Sequence, residues 1–424
     1  MNILLLQGPM GPFFQKFAKQ LEADGHRVIK VNFNGGDIFY SRGLKSVSFR
    51  GQLDQLSWFL KQLIAQHHID VVYGYGDCRD HHRVATKVCA DQSVPVYYFE
   101  DGYLRPDYIT CELGGVNDNS SLPRDPEFYR KQPKGPLPKT ESIGFDFYQR
   151  ILHAVAYYFF SFILRRQFAH YSHHRSFCGF YEARCWIKAW LLKHPQRWLS
   201  GRRLAGLQRK WGSRFYLMPL QIKDDSQIRF HSDFPDVASS IKVAVSSFAK
   251  HAPTDTALVI KHHPMDRGHS NYQHLIKQLV KEHKLGDRVV YIYDGPNPWL
   301  LRKCLGVVLI NSTMGISALV HGKKVKALGR AIYDMPGLCF QGELSGFWAA
   351  DFEPDRGLFE RFRLYLVKQT QLNQNFYKPL DSIQVPGLSG IEPKKPRIPV
   401  VIQHVLSRKN HLSEEKSGVA IPQA

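Results

Sequence analysis

Acidic side chains are scarce in this sequence. Asp and Glu number 37 against 57 Lys and Arg, a formal charge of +20. That balance excludes a protein built for basic ligands and points to an anionic partner: nucleic acid, a sugar nucleotide or an anionic membrane surface. Cysteine is sparse too. Seven residues, at 78, 89, 111, 178, 185, 304 and 339, form no CxxC pair and no zinc spacing. A disulfide framework is therefore excluded, and reduced, cytosolic thiols are expected. Long apolar runs are missing. The most apolar stretch, 151–164, is broken by His153 and Ser161 and falls short of the ~20 residues of a spanning helix. The first eight residues lack the basic region of a signal peptide and run straight into a strand pattern. A soluble or peripheral protein is expected. No GxGxxG follows Leu6 and no GxxxxGK[ST] occurs, which disfavours dinucleotide-binding and P-loop NTPase readings.

What is present is alternation. With 424 residues, 43% of them hydrophobic, the chain is long enough for two domains of about 150–200 residues each. Strand patterns at 2–7, 27–33, 70–74 and 94–99 alternate with helical patterns at 13–23, 53–66 and 85–91. A second series begins near Phe215, with strands at 215–220, 257–261, 289–292, 307–310 and 324–328 and helices between them. Such βαβα order predicts α/β folding into two Rossmann-like, doubly wound domains, with function at the C-terminal strand ends. We divide the chain into a first domain, 1–214, a second, 215–380, and a proline-rich and polar tail, 381–424, whose last dozen residues are expected to be without fixed structure. Within the first domain, residues from about 147 to 214 read as a basic, Trp-rich helical insertion. Between Arg165 and Arg214 lie twelve Lys/Arg and one acid, Glu182, interleaved with Trp186, Trp190, Trp198 and Trp211. A basic helix carrying tryptophans suits a membrane surface. Nucleic acid is the competing partner for such a patch, and a solvated linker with inward tryptophans is the plain alternative.

Three strand-end stretches carry chemistry. Residues 307–310 form a short β-branched run that opens into Asn311, Ser312 and Thr313, all helix-capping types, and then Gly315, where the lack of a side chain permits close approach of a ligand. Free N–H groups at such a helix start suit phosphate. Lys261-His262-His263-Pro264 follows another strand; Lys261 supplies charge, and His263 can bond a phosphate or protonate a leaving oxygen. Glu100-Asp101-Gly102 closes the strand at 94–99, and its adjacent carboxylates point to opposite sides, so one can enter a crevice as nucleophile or base. The alternative there is a turn in which Asp101 caps the next helix.

Together Glu100-Asp101-Gly102-Tyr103-Leu104-Arg105, Lys261-His262-His263-Pro264, the 311–315 helix start and the later Gly329, Ala331 and Tyr333 resemble the capsule polysaccharide biosynthesis and export family, in its β-Kdo glycosyltransferase branch. Tyr75-Gly76-Asp77-Cys78-Arg79, Pro219-Leu220-Gln221 and Asp225-Ser226-Gln227 add to the likeness, which runs over about 1–381. The resemblance implies a GT-B-like fold with an interdomain active-site cleft. It implies a retaining enzyme that transfers Kdo from CMP-Kdo to a (lyso)phosphatidylglycerol acceptor, initiating the poly-Kdo linker of a capsule. CMP-dependent sialyltransferases share the acid, His-Pro and Ser/Thr pattern, so the CMP-sugar donor is the firmer implication. On this reading Lys261, His263, Asn311, Ser312, Thr313 and Gly315 hold the CMP phosphate, and Gln221 and Asp225 read cytosine or ribose. Asp101 is the nucleophile, or the base if the enzyme inverts; Glu100 is the second carboxylate, and Arg105 can pair with the Kdo carboxylate. Residues 8–12 line the acceptor side. CMP is a good leaving group, so no metal and no cofactor is expected. The implied partners are CMP-Kdo, an anionic lysophospholipid at the cytoplasmic face of the inner membrane, a second Kdo transferase and the capsule ABC exporter, not nucleic acid. A non-catalytic export adaptor that docks on membrane or transporter is the alternative.

Overall fold

Short β-branched runs buried on both faces recur in each half of the chain, and each half folds around its own sheet. The computed structural model describes residues 1–144, 146–173, 179–378 and 385–388. Of the tail, only 385–388 are described: the Tyr73 hydroxyl donates to the Pro386 carbonyl at 2.8 Å. The final dozen residues lie outside the described residues.

The first sheet comprises β1 (Asn2–Leu5), β2 (Arg27–Asn32), β3 (Ser46–Ser48), β4 (Val71–Tyr75), β5 (Val96–Asp101) and β6 (Ile109–Leu113), wrapped by α1 (Phe13–Ala23), α2 (Gly35–Tyr40), α3 (Leu56–His67), α4 (Asp80–Asp91) and α5 (Pro126–Arg130). Two long helices follow, α6 (Phe147–Ile163) and α7 (Gly179–Trp211). The second sheet is β7 (Phe215–Pro219), β8 (Ala257–Lys261), β9 (Val289–Ile292), β10 (Gly306–Leu309) and β11 (Lys324–Ala327). Its helices are α8 (Ser226–His231), α9 (Val237–His251), α10 (Gln273–Glu282), α11 (Asn297–Lys303), α12 (Met314–Val320) and α13 (Leu344–Phe347). Last come α14 (Arg356–Thr370) and β12 (Gln371–Leu372). The strand orders are β12-β6-β5-β4-β1-β2-β3 and β11-β10-β7-β8-β9.

The second sheet is parallel throughout. Its alternate residues feed two separate cores: Phe215, Leu217, Val307 and Leu309 on one face, Tyr216, Met218, Val308 and Ile310 on the other. The first of these cores also takes in Tyr103, Leu122 and Tyr129 from the first unit, so the units share apolar packing.

Three features depart from the sequence reading or its alternatives. After Asp101 the chain does not enter a helix: β6 returns antiparallel to β5, with Asp101 opposite Ile109. Ile109-Thr110-Cys111-Glu112-Leu113 alternates apolar and polar in strand fashion, a signal the sequence reading passed over. Residues 371–372, read as part of the second domain, pair with β6 in the first sheet. The 147–214 segment also divides between the units. α6 packs on α2: Tyr157 bonds Asp37, and Phe160 stacks on Phe39 at 3.9 Å. α7 lies along β9: the Ser200 hydroxyl accepts from the Tyr293 N–H, and Arg203 donates to the Tyr291 carbonyl.

The α2–α6 contact depends on Gly35, where an added Cβ would meet the Phe160 carbonyl oxygen at 2.2 Å. Backbone cannot yield as a side chain does. Gly35→Ala should therefore cost about 1–3 kcal/mol, read as a lower midpoint in thermal unfolding. An unchanged midpoint would contradict this packing.

Candidate active site

The hairpin between β5 and β6 sets the first half of the site. Strand alternation turns Phe99 and Asp101 to one face and Tyr98 and Glu100 to the other. Asp101 lies 3.8 Å from the Arg105 guanidinium on its own hairpin and 3.7 Å from that of Arg150 on α6. Arg150 in turn sits over the Tyr377 ring, and Gly11, from the 8–12 turn, lies against His153 and Tyr377. Glu100 faces the other way, toward Gly76. Burial first, and then the Asp101 charge, push its carboxyl up to about 7.

The second half lies at the C-terminal edge of the second sheet, where the ends of β8, β7 and β10 are neighbours. Lys261 is 94% buried by difference from its 6% exposure, and burial lowers its pKa against the opposing pull of Asp294. His263 Nδ1 accepts the Met265 N–H at 3.2 Å, which leaves the proton of the neutral ring on Nε2. Burial, Lys261, His262 and Arg105 bring its pKa to about 4. The last of these is informative: Arg105 of the first unit is near enough to act on His263 of the second. At neutral pH His263 is therefore a neutral ring that offers an Nε2–H donor.

Several sequence-predicted contacts have other work. Gln221 Nε2 donates to Asn311 Oδ1 at 3.0 Å and to Asp225 Oδ2 at 3.3 Å, and Gln221 Oε1 accepts the Asn311 N–H. Asn311 Nδ2 donates to the carbonyls of Gln227 and His231, and Asp225 Oδ1 caps α8 through the Gln227 N–H. These three groups brace one another and the start of α8. Ser312 Oγ accepts the Met314 N–H at 3.2 Å. Gly315 does not clear space for a ligand: a Cβ there would meet the Tyr333 ring at 2.3 Å, and the Tyr333 hydroxyl donates to the Ser312 carbonyl. Thr313 makes no side-chain cap bond and lines a crevice shared with Tyr103 and Asn117 of the first unit and with Gln227, Ile316 and Arg330.

That crevice is small, with room for about one water molecule and none for a nucleotide. Asp101, Lys261 and His263 do not line it. The sequence reading missed Asn117 and Arg330. Asn117 takes φ +59°, and its Nδ2 is buried without a partner. Arg330 Nε donates to Asp118 across the seam at 2.7 Å. The Asn117-Asp118-Asn119 run and the arginine after Gly329 were the available signals.

Two α/β units with parallel sheets, meeting along strand-end loops, define a GT-B-like protein. The chain belongs to the capsule polysaccharide biosynthesis protein family, whose model matches residues 70–377. It is 46% identical over 374 residues to the capsule polysaccharide export protein KpsS of Escherichia coli, covering 88% of this chain and 96% of that protein. Against the capsule polysaccharide modification protein LipB of Neisseria meningitidis serogroup B it is 41% identical over 392 residues, covering 89% and 91%. Among solved structures, the β-Kdo 2,7 transferase of Thermosulfurimonas dismutans KpsC aligns with 85% of this chain and 99% of its own at 16% identity and a TM-score of 0.40, a likeness too slight to carry an argument.

Glu100 and Glu112 are both pushed from 4.5 up to about 7, by burial foremost. Between those values the folded chain keeps protons that the unfolded chain has released, so stability falls as pH rises through that window. Glu100→Gln should flatten part of this decline in a series of melting curves. A slope equal to the wild type's would contradict the burial of Glu100.

Proposed function

We propose that the chain is a retaining β-Kdo glycosyltransferase that uses CMP-Kdo and a (lyso)phosphatidylglycerol acceptor, starting a poly-Kdo linker at a membrane surface. The observation that carries the reading is Arg105, which pairs with Asp101 in the first unit and acts on the buried His263 beside Lys261 in the second. Family membership and the names of the relatives, which speak of capsule export and modification, support a capsule substrate. In the first displacement a carboxylate oxygen of Asp101 bonds the anomeric carbon as the bond to the CMP phosphate breaks. Lys261 and the His263 Nε2–H stabilise the charge that develops on the phosphate oxygens. An acceptor hydroxyl then displaces Asp101, so two inversions give retention. The hydroxyl proton leaves to solvent, since Glu100, though raised to about 7, is turned to the other face of the strand toward Gly76. Arg105 and Arg150 hold Asp101, and Arg105 can also bond the sugar carboxylate. The scheme calls for no metal.

The membrane part rests on two exposed faces. On α6, Tyr148, Leu152, Val155, Phe159 and Phe162 are exposed at helical spacing. On α7, Trp186, Ile187, Trp190, Leu191 and Trp198 are exposed beside a row of basic residues, with Arg202 over the Trp198 ring at 4.9 Å. No helix among the described residues is long and apolar enough to cross a membrane. These faces suit an interfacial contact on the cytoplasmic leaflet. They also favour the second reading, a non-catalytic export adaptor docked on membrane or transporter. An enzyme, unlike an adaptor, forms a sugar adduct.

Asp101→Asn should lower transfer at least about a hundredfold, the low end for a positioned catalytic group. With CMP-Kdo alone, intact-mass and peptide mapping should find a sugar on Asp101 of the wild type. Full activity in the variant, or an adduct on another carboxylate, would remove Asp101 from this role. Neutralising Arg184, Lys188, Arg202 and Arg203 should weaken flotation with anionic liposomes at least several-fold, since each basic group near such a surface contributes about 1 kcal/mol. Unchanged flotation would contradict the electrostatic contact.

A further inference from the structure

A second cluster of reactive side chains lies on the seam between the units. Cys78 Sγ and His231 Nε2 are 3.3 Å apart, and with a carboxylate oxygen of Asp77 they form a set in which all donor atoms lie within 4.8 Å of one another. Asp77 and Cys78 follow β4 in the first unit, whereas His231 ends α8 in the second. His231 is fully buried and Asp77 nearly so, while Cys78 is partly accessible and gives a way in.

The chemistry of the set is that of a cation site. Ligands at about 2.3 Å (sulfur) and 2.0–2.1 Å (nitrogen) around a tetrahedral zinc ion stand roughly 3.5 Å from each other, close to the separation already present. Behind His231, its Nδ1 has no hydrogen-bond partner and lies 3.8 Å from Asp118 Oδ2. This is the outer carboxylate that commonly orients a metal-binding imidazole. Asp118 is itself fixed by Arg330 and Arg124. Asp77 Oδ2 accepts the Val116 N–H and a proton of Asn119 Nδ2, which fixes the carboxylate's direction.

We propose that Asp77, Cys78 and His231 bind a thiophilic divalent cation, Zn²⁺ by their donor set, which ties the two units together. On binding, the sulfur–metal bond forms as Cys78 releases its proton to solvent; nothing is oxidised or reduced. Water completes the fourth position. The groups assigned to sugar transfer, Asp101, Lys261 and His263, are not ligands here. The cation acts on the seam, where one ligand must let go before the cleft opens.

The test uses the full chain stripped of metal. Titrated with Zn²⁺ against a chromophoric chelator, it should bind one equivalent tightly. Titrated with Co²⁺, it should develop a thiolate-to-cobalt charge-transfer band in the near ultraviolet. Cys78→Ser should abolish the band and weaken Zn²⁺ binding more than tenfold, and Asp118→Asn should weaken it roughly 10–100-fold, as outer partners do. Should Cys78→Ser fail to fold, the wild-type cobalt spectrum still decides, because bound cobalt without a thiolate band overturns the site. No stoichiometric Zn²⁺ binding, or binding unaltered in Cys78→Ser, would reduce the pair to a thiol–imidazole hydrogen bond.

Discussion

The carboxylate of Asp101 is held between two guanidiniums, and one of them, Arg150, comes from a helix more than forty residues further on. Much of the first unit serves this pairing. Arg150, His153, Tyr157 and Ser161 follow the helical repeat and make the inner face of α6. His153 meets the Tyr40 hydroxyl at 2.9 Å, and Tyr157 joins Gln7, Asn34 and Asp37 in one buried network. Gly35 and Gly36 let the helix approach. The outer face of the same helix is the exposed apolar row. The exposed row and the partner of Asp101 thus belong to one helix.

The seam between the units rests on the opposite balance of charge. Asp118 gathers Arg124, Arg330 and His231; burial works to raise its carboxyl, and these partners outweigh it, holding it down to about 2. Apolar packing of Tyr103 and Leu122 into the core beneath the second sheet flanks these polar contacts. The closed seam accounts for the small volume of the crevice beside Thr313.

The parallel strands and their order of appearance were legible because buried β-branched runs and helical spacing are local signals. α1, at Phe13–Ala23, has the predicted bounds. β6 was legible, since Ile109 to Leu113 alternate apolar and polar, and it was missed; what no local signal gives is that Thr110 and Glu112 find their partners in Gln371 and Tyr103. Residue types at the site were legible, but their commitments were not. Gln221, Asp225 and Asn311 have polar side chains at strand ends, as ligand contacts do, yet their bonding capacity is spent on one another. Gly315 looked like room for a ligand until the Tyr333 ring filled it. Conversely, Arg150 directly precedes the apolar stretch 151–164, and no local signal announces its pairing with Asp101.

The central claim is glycosyl transfer to a lipid, and one reaction tests it most directly. The full chain is incubated with CMP-Kdo and lysophosphatidylglycerol in anionic vesicles, and the lipid is weighed by mass spectrometry. The account predicts a lipid heavier by one Kdo residue, with CMP released in equal amount. Folded, vesicle-bound protein that leaves the lipid mass unchanged would contradict it and would leave the chain as a docking protein.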